Sequence, residues 1–92
     1  MECIERVQLA SITASQLRAA RAMIRMDQCD LAERAGISGS TLKRYENCYG
    51  PLFGDPQKIS ALVAALEREG VVFLPDDGSG AGIRLLARTR LR

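Results

Sequence analysis

The chain contains no histidine and no tryptophan, and its aromatic residues are two tyrosines and two phenylalanines. Without histidine there is no side chain that ordinarily titrates near neutral pH, and no histidine-based triad or relay. Cysteine is scarce too. Cys3, Cys29 and Cys48 are scattered, odd in number and outside any C-x-x-C spacing. With no histidine to complete a ligand set, a zinc site is not expected, and no other cofactor is either. The cysteines read as reduced thiols, serving as small apolar side chains at helix surfaces or turns. Glycine-rich phosphate loops are missing, as is any serine or cysteine placed beside a plausible base. These absences argue against an enzyme. No apolar run approaches the roughly 20 residues of a membrane helix. Met1-Glu2-Cys3-Ile4-Glu5-Arg6 lacks the charged-then-apolar layout of a secretory signal, so no membrane partner and a cytoplasmic location are expected.

What is present is an apolar share of 47%, drawn mostly from alanine, leucine, isoleucine and valine. That is enough for one globular core, and these side chains suit close-packed short helices. The formal charge of +2 is too small to announce a nucleic-acid partner. Its distribution is more informative. Arg18, Arg21, Arg25, Arg34, Lys43 and Arg44 lie in the first half, and Arg84, Arg88, Arg90 and Arg92 near the end. The intervening segment from Pro51 to Ala81 is acidic. One cationic face is therefore expected, although surface arginines are often simply solvated.

Residues 1–12 show no clear period and read as an N-terminal arm. Thr13-Ala14-Ser15-Gln16 reads as a capping box, in which Thr13 accepts from the amide of Gln16 and the Gln16 side chain reaches back. Leu17, Ala20, Arg21 and Ile24 then share one face, which predicts a first helix over Ala14–Arg25. The inward arginine requires a partner. Asp27 caps a second helix, Gln28–Ala35, with Leu31, Ala32 and Ala35 inward and Gly36 as its stop. Ser38 caps a third that ends near Asn47; Leu42 and Tyr45 face in, and Ser40, Thr41, Lys43 and Arg44 face out. Asp55 and Pro56 open a fourth helix, striped by Ile59, Leu62, Val63 and Leu66 and ended by Gly70. Val71–Leu74 and Ile83–Leu86 then suggest a hairpin with a long turn-rich loop. A lone hairpin is marginal in water, so it should pack on the helices or pair with another chain.

Two short helices joined by a glycine-containing turn match the helix-turn-helix description. The run from Gln28 to Asn47, with its Gln28-Cys29-Asp30-Leu31-Ala32 opening, turn Gly36 and closing Glu46-Asn47 all in register, resembles the phage-repressor-like family of helix-turn-helix regulators. That family is also called the Cro/C1 or xenobiotic-response-element type. The resemblance extends from Ser15 to Leu66. It implies a mainly α, lambda-repressor-like bundle of four to five helices, here with a C-terminal β-hairpin. The third helix is then the one that enters the major groove of double-stranded DNA.

The resemblance also implies roles for single residues. It pairs Arg21 with Glu46 as a structural brace between helices one and three, which is sensible for a partly buried guanidinium. Gln28, at the start of helix two, falls where the family meets a phosphate, a place that helix geometry favours; simple first-turn capping is the alternative. Gly39 and Ser40 fall at the first base-reading positions, where the sequence departs from the pattern by offering short side chains. Thr41 is placed for a thymine methyl or a phosphate. Lys43 and Arg44 have more reach, and Arg44 is the residue best suited to a bidentate guanine contact; a non-specific phosphate contact is the alternative for both. Asn47 falls where the family meets the DNA backbone.

The organisation expected from this reading is an arm (1–12), a DNA-binding domain (13–70), a hairpin that serves as a dimerisation element (71–87) and a basic tail (88–92). The function expected is a sequence-specific transcriptional regulator, a homodimeric repressor associated with the nucleoid when bound to DNA. The competing expectation is an antitoxin or anti-activator that acts by binding a protein partner, a toxin or an activator.

Overall fold

Side chains of alternating polarity at helical spacing, separated by capping residues and glycines, set the element order. In the computed structural model, which describes residues 12–48 and 50–86, these are α1 (Ala14–Met23), α2 (Gln28–Ala35), α3 (Gly39–Glu46), α4 (Pro56–Glu67), β1 (Val71–Leu74) and β2 (Gly82–Leu85). Four helices and one antiparallel hairpin are thus present among the described residues. Each helix starts where a cap was expected. Thr13 forms the capping box with Gln16, Asp27 accepts from the amide of Asp30, Ser38 from that of Thr41, and Asp55 from that of Gln57. Pro56 occupies the first turn of α4, where a missing amide proton leaves no bond unmade.

The core is built from the inward stripes of all four helices. Leu17, Ala20, Leu31, Leu42, Leu62 and Leu66 are completely buried, and Ile12, Ala14, Tyr45, Ile59 and Val71 nearly so. Burying each large aliphatic side chain contributes roughly 1.5–3 kcal/mol, so the helices are held mainly by this shared interior. No helix among the described residues is long and apolar enough to cross a membrane.

Several boundaries differ from the sequence expectation, each for a local reason. The first helix stops at Met23 rather than Arg25, because the chain leaves it through a left-handed turn. The amide of Met26 donates to the carbonyl of Arg21, and that of Arg25 to Ala22, with Arg25 at φ 58°. The end of α2 repeats the arrangement: Ile37 donates to Ala32 and Gly36 to Glu33, with Gly36 at φ 73°. Both are Schellman ends, one filled by glycine and the other by an arginine that bears the strain of a left-handed side-chain-bearing residue. Arg25→Gly is therefore expected to raise stability by about 0.5–1 kcal/mol, and Gly36→Ala to lower it by about 1 kcal/mol. A Cβ at Gly36 would meet nothing within 4 Å, so the second effect isolates the backbone term. Urea denaturation of both variants checks the opposite signs.

Ile12 is not part of an arm. It is buried, and its carbonyl accepts from the amide of Leu52 at 2.9 Å, while Ala14 donates to the carbonyl of Gly50 at 3.1 Å. These bonds, with the bridge between Thr13 and Pro51, strap the α3–α4 loop to the start of α1. The rest of the expected arm and the basic tail lie outside the described residues.

The second strand begins one residue early, at Gly82, and pairs in the register Val71 with Leu85, Val72 with Arg84, Phe73 with Ile83 and Leu74 with Gly82. Leu86 still continues the ladder by donating to the carbonyl of Gly70 at 2.9 Å. Phe73, Ile83 and Leu85 pack on the helical core, so the hairpin docks on its own chain. Gln16 fastens it. While its Oε1 caps α1, its Nε2 donates to the carbonyls of Leu74 and Gly82, at 3.1 and 3.0 Å. Those two residues face each other at the end of the ladder, so one buried amide holds both strands.

Candidate nucleic-acid interface

α3 is eight residues long and divided sharply between two faces. Leu42, Tyr45 and Glu46 are buried, whereas Ser38, Gly39, Ser40, Lys43, Arg44 and Asn47 are exposed and Thr41 is half-buried. Seven of the residues singled out in the sequence thus fall in or beside α3, and all but Glu46 lie toward solvent. Lys43 and Arg44 occupy the last turn, where the helix dipole favours cations. The guanidinium of Arg44 lies 5.5 Å from the centroid of the Tyr45 ring, a cation–π arrangement that restrains it while leaving it exposed.

The N-terminal end of α3 is closed by its own hydroxyls. The amide of Thr41 donates to Ser38 Oγ at 3.1 Å, and Ser38 Oγ donates to Thr41 Oγ1 at 2.8 Å. The Thr41 hydroxyl is therefore tied to the cap. Gly39 has no structural reason to be glycine: its φ is not in the left-handed region, and a Cβ there would meet nothing within 4 Å. Asn47 is the C-cap, its amide shared between the carbonyls of Lys43 and Arg44.

Beneath this face lies the ionic brace. Arg21 Nε donates to Glu46 Oε2 at 2.7 Å and its Nη2 to Oε1 at 2.8 Å, a bidentate fork between α1 and α3. Arg21 Nη1 also donates to the carbonyl of Met26 at 3.0 Å, which ties the pair to the turn before α2. Glu46 is 3% exposed and Arg21 21%. Burial pushes the Glu46 carboxyl up. The hydrogen bonds from Arg21 and Gln28 and the charges of Arg21 and Arg18 outweigh it and hold the group below its ordinary value. The same hydrogen bond, opposed by burial, holds the Arg21 guanidinium above its usual range.

Gln28 departs from the sequence expectation. Its Nε2 donates to Glu46 Oε1 at 2.9 Å, so its side chain belongs to the brace and is half-buried rather than displayed at the helix start. Helices α1, α2 and α3 thus converge on one carboxylate. Two features were not anticipated from the sequence. Arg18, which looked like an ordinary surface cation, donates through Nη1 to the main-chain carbonyl of Glu46 and through Nη2 to Ser15 Oγ at 3.2 Å. Its spacing of three from Arg21 was the available clue, since it puts both on neighbouring turns of one helix. Phe53, in the loop after α3, is 80% exposed, an apolar ring in water that no periodicity marks.

Among the described residues no group of three or more acidic, cysteine or histidine side chains is arranged to hold a metal ion. Cys29 is exposed on α2, and half-buried Cys48 donates from Sγ to the carbonyl of Arg44 at 3.3 Å. Comparison with known proteins finds no matching family model and no matching curated sequence.

Proposed function

We propose that this chain is a sequence-specific DNA-binding regulator, a dimeric repressor that lays α3 in the major groove. The observation that carries the reading is the exposed face of α3. Gly39, Ser40, Lys43, Arg44 and Asn47 project from a helix whose opposite side is anchored by Leu42, Tyr45 and Glu46. A helix of this width fits the groove, and a rigidly held one presents its side chains in fixed register. The resemblance of the run from Gln28 to Asn47 to phage-repressor-like regulators supports the same assignment. In this reading Arg44 reads a guanine, Lys43 contacts phosphate, and the short Gly39 and Ser40 let the helix end approach closely. Two copies associate through their hairpins, so that two α3 helices meet successive turns of the duplex.

The test is to incubate the purified protein with sheared genomic DNA at fixed, near-physiological salt and to sequence what is retained. Salt must be fixed because phosphate-driven affinity falls steeply with it. A few recovered sites sharing an inverted repeat are expected. Even retention across the genome, or none, overturns the reading. On a recovered site, Arg44→Ala is expected to lower discrimination at one base pair by about 1–3 kcal/mol while the fold stays intact. Quantitative binding to single-base variants of the site checks it; an unaltered preference removes Arg44 from the reading role.

Exposed Phe53 favours a second reading, in which the fold is an antitoxin or anti-activator that docks a protein. Absence of site-specific retention, together with a stable complex with the product of an adjacent gene, would establish it.

A further inference from the structure

The last carbonyls of a helix need partners from outside it. In α3 the amides of Asn47 and Cys48 serve the carbonyls of Lys43, Arg44 and Tyr45. The carbonyl of Glu46, the final residue of the helix, receives Arg18 Nη1 from α1. The carboxylate of the same residue receives Arg21, one turn further along α1. Glu46 is therefore gripped at both ends by two arginines of one helix. The bonds at the carboxylate hold α3 through a side chain, which can turn about its own torsions. The bond at the main chain acts on the helix itself and fixes its rotation. A cation at this end is also favoured by the helix dipole.

We infer that Arg18 is a positioning residue that sets the rotation of α3, and with it the selectivity of the exposed face. It does not act as a phosphate contact, although it is an exposed arginine beside a candidate DNA-binding helix. This rests on the DNA-binding reading proposed above. The distinction has a measurable consequence. A phosphate contact contributes equally to all sequences and to the salt slope, about 0.9 per contact; a positioning bond contributes to discrimination alone.

The experiment uses the full chain with Arg18→Ala and Arg18→Lys, at a temperature where wild type and both variants are folded. Binding to the genomic site recovered for wild type, and to bulk DNA, is titrated over a range of salt. In Arg18→Ala the ratio of specific to bulk affinity is expected to fall roughly tenfold, the scale of one charge-assisted hydrogen bond. Bulk affinity and salt slope should stay unchanged. Arg18→Lys, which keeps a donor able to reach a carbonyl, should recover part of the ratio. Amide exchange at Asn47 and Cys48 should quicken in Arg18→Ala relative to amides of α2. A salt slope reduced by about 0.9, with equal loss on both DNAs, would show a phosphate contact and overturn the inference. An unchanged ratio would overturn it as well. Failure of wild type itself to retain any site is a different result: it sinks the DNA-binding reading, and this role of Arg18 with it.

Discussion

Glu46→Ala is expected to lower stability by about 3 kcal/mol, a fall in melting temperature on the order of 15 °C for a chain of this size. The carboxylate is 3% exposed and accepts three hydrogen bonds, two from Arg21 of α1 and one from Gln28 of α2. Removing it leaves the Arg21 fork facing the interior without its counter-charge, which is where the loss arises. The lower end of the range for buried pairs applies because Arg21 keeps 21% of its surface in water. Thermal melts followed by circular dichroism measure it; a change under 1 kcal/mol would mean the pair contributes no more than a surface one.

The acid response of the same residue gives an independent check. Its carboxyl is pushed up by burial and pulled further down by Arg21, Gln28 and Arg18, so that the folded value lies below the ordinary one. A group lowered in this way stabilises the fold above its unfolded value, about 4.3, and that contribution is lost as pH falls through the folded value. Wild type should therefore lose stability as pH falls below about 5, while Glu46→Gln, already without the charge, loses less over the same range. The two stability curves should converge at low pH. A constant gap would assign the effect to shape rather than ionisation.

Gly54→Ala is the second large effect. A Cβ at this position would lie 2.6 Å from the Tyr45 hydroxyl oxygen and 2.9 Å from Cε1, with the backbone at φ 152°. Tyr45 is 1% exposed, so its ring has no free space into which to retreat. The clash and the unfavourable backbone together are expected to destabilise the fold by about 2–4 kcal/mol, read from denaturant melts. The coupling is testable by a double-mutant cycle. Tyr45→Phe removes the nearest atom but not Cε1, so the pair of substitutions should destabilise by less than the sum of the two alone. Strict additivity would show that the backbone, not the ring, demands glycine. The loop after α3 and the buried side of α3 are thus fitted to one another, while neighbouring Phe53 faces water.

Local chemistry explains why much of the fold is legible in the sequence. A hydroxyl or carboxylate that bonds an amide two or three residues ahead needs nothing beyond its own segment, and Thr13, Asp27, Ser38 and Asp55 all cap as expected. Gly36 ends α2 for an equally local reason. The end of α1 follows a different rule. Arg25 fits the helical stripe pattern, and only the left-handed turn it adopts, with Met26 buried behind it, breaks the helix two residues sooner. Residue type favoured continuation there, and packing of the next apolar side chain overrode it.

The candidate interface divides along the same line. Which side chains of α3 face outward followed from its period, and the Arg21–Glu46 pair followed from a family resemblance joined to the need of an inward charge for a partner. The long-range partners of Gln28, Arg18 and Gln16 did not follow from either, although the capping role of Gln16 did. Each is a polar side chain whose partner lies on another element: Glu46 for the first two, and the hairpin carbonyls for the third. Bonds between residues 18 to 66 apart in the chain leave no trace in local pattern, because the distance that makes them exists only after the core has closed. The sequence by itself determined the helices, their caps and their apolar faces, since those depend on neighbours a few residues away. Tertiary structure alone decided that one buried carboxylate would join three helices, and that an exposed arginine would hold the end of α3.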